Sequence, residues 1–143
     1  MIRRSRTALV LVSVLMLGLA ACGSSKKATP SGNAGNRPST TATLQIVAPE
    51  ANATVGPDVT LQMKLTGGEV VPPSQTSGPL SGDKGHIHVS VDGQLVSMNY
   101  TTTAQLTNLK PGVHGVQAEF VAVDHLPFKN RVMTTVIFTV APQ

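Results

Sequence analysis

One cysteine, one tyrosine, three phenylalanines and no tryptophan make this chain poor in the residues that most often staple or anchor a small fold. With Cys22 as its only thiol, it can form no internal disulfide, so any domain must be held by its apolar core. Aromatic platforms for a sugar are equally few: Tyr100, Phe120, Phe128 and Phe138. Basic charge is scarce where it would matter. Arg3, Arg4, Arg6, Lys26, Lys27 and Arg37 all precede residue 42, and the five bases beyond it face seven carboxylates. The formal net charge of +4 therefore belongs to the N-terminal part, and a nucleic-acid partner loses its electrostatic basis. No nucleophile elbow, phosphate loop or pair of catalytic carboxylates occurs, which argues against an enzyme.

What is present begins with an N-terminal address. Arg3, Arg4 and Arg6 form a charged region, and Ala8 to Leu19 is an apolar stretch too short for a membrane span. Together they read as a signal peptide over residues 1–21. The stretch closes on Leu19-Ala20-Ala21-Cys22, which resembles the bacterial lipobox. That resemblance implies cleavage before Cys22, lipidation of its thiol and a lipid anchor on the extracytoplasmic side of the cell membrane. More than one acyl chain would make the anchoring stable. Residues 22–41 are rich in Gly, Ser, Thr, Asn and Pro and read as a flexible linker, about 25 Å in mean reach.

From residue 42 to residue 143 the pattern is that of short strands. Val59, Leu61, Met63 and Leu65 alternate with Thr60, Gln62 and Lys64. In Gly85-His86-Ile87-His88-Val89-Ser90-Val91, the aliphatic residues share one face and His86 and His88 the other, the exposed one by expectation. Asp92-Gly93 then marks a tight hairpin. Val113 to Val123 and Arg131 to Val140 are the last two strands, joined by a loop from Asp124 to Asn130. About seven strands with frequent turns and no amphipathic helix predict an all-β, immunoglobulin/fibronectin-like antiparallel β-sandwich.

Residues 85–140 carry Gly-His-x-His, Val-Asp-Gly, Leu-x-Pro-Gly-x-His, Asp124-His125-x-Pro127 and a terminal Phe-Thr-Val. As a set these resemble an uncharacterised bacterial immunoglobulin-like lipoprotein domain. The resemblance implies the fold and the surface location but no activity. His114, in the Leu-x-Pro-Gly-x-His turn, is expected to bond backbone at a strand corner, as a tyrosine does in related sandwiches.

His-x-His on a strand also resembles the paired copper ligands of Cu/Zn superoxide dismutase, but four histidines and one cysteine cannot supply that enzyme's ligands and disulfide. Three readings of function follow. The first is a membrane-tethered binding or structural module whose partner is an envelope protein or a polysaccharide. The alternative is a copper or zinc binder using His86, His88 and His125, with Met133 as a sulfur ligand. An enzyme is the third and weakest. Against the metal stands the plain reading that these histidines face solvent or shape a turn.

Overall fold

The computed structural model describes residues 37–72 and 74–142; the expected signal peptide, Cys22 and the linker up to residue 36 lie outside the described residues. Every regular element described is a strand: β1 (Thr43–Ala48), β2 (Thr54–Val55), β3 (Val59–Thr66), β4 (Glu69–Val70), β5 (Lys84–Val91), β6 (Gln94–Asn99), β7 (Thr103–Leu106), β8 (Gly112–Ala122) and β9 (Pro127–Val140). In β3 the alternation of the sequence becomes an alternation of burial, with Val59, Leu61 and Met63 inside and Thr60, Gln62 and Lys64 outside.

One sheet has the order β1-β3-β7. The other runs β2-β9-β8-β5-β4, with β6 paired to β5. The adjacent antiparallel strands β6, β5, β8 and β9 facing a three-stranded sheet make an all-β sandwich of the immunoglobulin or fibronectin type. Between the sheets, Leu44, Leu61 and Met63 meet Ile87, Val89, Phe120 and Phe138 in one cluster. Each such side chain contributes roughly 1.5–3 kcal/mol when fully buried, which is how the domain does without a disulfide. The Asp92-Gly93 turn joins β5 to β6 with both residues at positive φ (51° and 83°), the type I′ geometry that this dipeptide favours.

Two expectations need correction. The loop expected at Asp124–Asn130 is shorter, because β9 already starts at Pro127 and its Pro127 lies opposite Val121. The linker also ends earlier than residue 41. Thr40 donates its backbone N–H to Asn130 Oδ1 (2.9 Å) and accepts from Asn130 Nδ2 (2.7 Å), while Lys129 N–H donates to the Pro38 carbonyl (3.0 Å). Residues 37–41 are thus part of the domain. Their polar composition hid this, since they are held by hydrogen bonds and not by apolar side chains.

Candidate functional site

The site grows from the start of β5. His86 and His88, two residues apart, leave the same face of the six-stranded sheet, as the period of a strand requires. The expectation that this face is open to solvent fails at His86, whose relative exposure is 0%. A second small core covers it. Val71, Val121 and Val123 are buried yet do not belong to the cluster between the sheets. β4 runs parallel to the start of β5, and Val71 donates its N–H to the Gly85 carbonyl (2.9 Å). Tyr100 closes the other side, its ring edge-on to His86 at 4.8 Å and 83°. Gly85 lets β8 approach the start of β5, because a Cβ there would collide with the Val121 carbonyl oxygen.

The third histidine arrives on the β8–β9 turn. His125 sits at φ 62°, and its N–H donates to the Ala122 carbonyl (2.9 Å). The turn is fastened from outside itself: Arg37 donates to both Asp124 carboxylate oxygens (2.8 and 2.9 Å), to the Leu126 carbonyl (2.8 Å) and to the Pro127 carbonyl. Nothing in the spacing of the chain announces this pair, which lies 87 residues apart. Held in this way, His125 Nδ1 lies 3.1 Å from His88 Nε2. The ring centroids are 5.4 Å apart and the planes differ by 22°; the centroid separation exceeds the nitrogen separation by the radii of two imidazoles. The two nitrogens therefore point at one another, edge to edge, and in the protein alone one must donate N–H and the other accept.

His86 packs on the other side of His125, with centroids at 4.5 Å and planes at 31°. Neither His86 ring nitrogen makes a hydrogen bond of ordinary geometry among the described residues, although the Pro72 carbonyl is close enough to act on the ring. Burial, reinforced by the neighbouring His125, lowers the His86 pKa, against a weaker opposing pull from the Pro72 carbonyl. The same two causes lower that of His88, with Glu119 opposing. Both rings are accordingly neutral near pH 7, the form that accepts a proton or ligates a cation.

Across the sheet, Met98 (β6), His88 (β5), Glu119 (β8) and Met133 (β9) are aligned in register. Met133 thus stands two strands from His88, roughly 10 Å away. Glu119 lies between them and receives two hydrogen bonds from Arg131 (2.7 and 2.6 Å). The methionine beside His88 is instead Met98, its cross-strand partner on β6, which is 46% exposed. Among the described residues, no three His, Cys, Asp or Glu side chains form a cluster able to hold a metal ion. What the fold does assemble is one pair of opposed imidazole nitrogens, backed by a third ring.

His114 lies apart from this group. Its Nδ1 meets Asp92 Oδ2 (2.7 Å) and its Nε2 the Lys110 carbonyl (2.8 Å), the corner bond to backbone that its position suggested. Both partners are acceptors, so both ring nitrogens carry protons and the ring is an imidazolium. The Lys110 carbonyl first, then Asp92, raise its pKa.

No family model matches the chain, and no curated protein sequence does. Among solved structures it is similar to the fibronectin(III)-like modules of Clostridium thermocellum CbhA, at 17% identity over 68% of this chain and 94% of that one, with a TM-score of 0.49. It is also similar to an engineered protein (16% identity, 71% of this chain and 20% of that one, TM-score 0.47). A third likeness is to an endo-β-1,4-mannanase from Thermotoga petrophila (12% identity, 71% of this chain and 20% of that one, TM-score 0.47).

Proposed function

We propose that this protein is a membrane-tethered extracytoplasmic lipoprotein whose immunoglobulin-like domain serves as a non-catalytic binding or structural module. The tether rests on Arg3, Arg4, Arg6, the apolar stretch Ala8 to Leu19 and the lipobox ending in Cys22. One observation carries the module reading. Apolar side chains left in solvent gather on β6, where Leu95, Val96 and Met98 are each about half exposed. Among the described residues β6 pairs with β5 alone, so its outer edge keeps unpaired backbone groups. A groove of about 320 Å³ lies beside it, lined by Val91, Val96, Leu106 and Leu109 among others. An envelope protein adding backbone hydrogen bonds along this edge is the partner that such a surface suits.

The tether is tested by Cys22→Ala, which should release the protein from the membrane fraction or leave an unprocessed precursor. Processing and membrane association equal to the parent would refute it. For the module, a photo-crosslinker at Val96 in intact cells should yield a discrete adduct. One at Val113, 69% exposed on β8, should not. Equal adducts from both positions would remove the case for the β6 edge.

A further inference from the structure

We infer that His88 Nε2 and His125 Nδ1 hold a copper(I) ion in line between them, with the Met98 thioether as a weaker third ligand. The inference does not rest on the β6 docking edge, although Met98 belongs to both. It starts from the in-line approach of the two ring nitrogens, 3.1 Å apart on nearly coplanar rings. An ion seated between two opposed nitrogens needs them about 4 Å apart, at metal–nitrogen bonds of about 2 Å. The rings therefore have to separate by about 1 Å, with no change in direction. Opposed imidazoles suit the linear coordination of copper(I). They do not suit zinc, which takes four ligands at tetrahedral angles. Met98 strengthens the choice. It is the cross-strand partner of His88 on the same face, within the reach of a long side chain, and thioether sulfur selects copper(I).

A second observation points to the same place. His86 is wholly buried against His125 with both ring nitrogens unpartnered among the described residues. A buried polar group without partners calls for an explanation, and service to an adjoining site is one. Here the ring lies against the face of His125 and restricts the plane in which that imidazole turns. Arg37, through Asp124 and the Leu126 carbonyl, fixes the turn from the other side. His88 and His125 are only partly buried, so an ion reaches them from solvent.

The test uses the full chain in a Cys22→Ser background, so that no thiol competes. Copper(I) is titrated against a chromophoric chelator, and zinc(II) in parallel. One equivalent of copper(I) should bind, and zinc should bind at least about 100-fold more weakly. His88→Gln and His125→Asn, the latter chosen because asparagine tolerates positive φ, should each weaken copper(I) by about 100-fold or more. Met98→Leu should weaken it about 10-fold, and His114→Gln should leave it unchanged. In the unmutated site, the ring nitrogen resonances of His88 and His125 should shift with the first equivalent while those of His114 stay in place. Absence of stoichiometric binding, retention in the His88→Gln/His125→Asn double variant, or an equal loss in His114→Gln would each overturn the inference.

Discussion

Gly85 and His114 show how single residues set the two ends of the central strand pair. At one end a Cβ on residue 85 would strike the Val121 carbonyl oxygen, whereas a Cβ on Gly115 meets nothing within 4 Å. Gly85→Ala should therefore destabilise the domain by about 1–3 kcal/mol or more, and Gly115→Ala should be nearly neutral. Urea midpoints of the two variants decide this, and equal midpoints would refute it. At the other end the His114–Asp92 pair makes stability depend on pH. His114 has a raised pKa, so its contribution is whole below the ordinary imidazole value of about 6.5 and is lost as pH climbs through the raised value. Asp92 is lowered, chiefly by the Gly115 N–H and then by His114; its contribution holds above about pH 3.9 and is lost as pH falls through the depressed value. The pair is strongest between about pH 4 and 6.5. His86 and His88, with lowered values, act in the opposite direction, so the informative quantity is the difference between parent and His114→Gln. That difference should be largest near pH 5.5 and shrink by pH 8. A constant difference would mean that His114 acts only by packing.

At the scale of elements, the β8–β9 turn is the decisive piece. A short turn carrying Asp124 and His125 would by itself be mobile, yet it accepts hydrogen bonds from a guanidinium that belongs to the irregular entry segment before β1. The Arg37 side chain is 12% exposed and that of Asp124 30%, so the ion pair is partly shielded from water. It lowers the Asp124 pKa and raises that of Arg37. Arg37→Ala should cost about 2 kcal/mol, because two carbonyls and a carboxylate lose a charged donor at once. A double-mutant cycle with Asp124→Asn should give a coupling of about 1 kcal/mol or more. Faster amide exchange at Leu126 and His125 in Arg37→Ala would place the loosening in this turn. Unchanged exchange there would separate the clamp from the histidine group.

For the whole molecule the boundary of the folding unit is the measurable consequence. A chain beginning at residue 42 keeps the nine strands described but loses the Arg37 clamp and the backbone bonds of Pro38 and Thr40 to Lys129 and Asn130. Residues 37–143 should therefore melt several degrees above residues 42–143, since 1 kcal/mol shifts the midpoint of a domain of this size by about 4–8 °C. Both should give a strand-type circular dichroism spectrum. Coincident melting curves would show that the entry segment adds nothing.

Much of this architecture is legible in the chain. Alternation along Val59–Thr66 and Lys84–Val91 specifies which face is buried, and Asp92-Gly93 specifies its hairpin, because both are local consequences of backbone geometry. In a sandwich of this type the histidine strand lies antiparallel to the strand that ends just before His125, and this pairing brings His86, His88 and His125 to one end of the sheet. Two-residue strands such as β2 and β4 are too short to show a period. The burial of His86 depends on Val71, Tyr100 and Val121, which meet only after the chain has folded. Parity states the side of a sheet on which a residue lies, and not what covers that side. The place of Met98 beside His88, the distance of Met133 from it and the clamp of Arg37 on Asp124 are likewise matters of strand register and long-range contact. Local sequence determined the strands and their faces; only tertiary structure decided which polar groups lost their water and which nitrogens came to face each other.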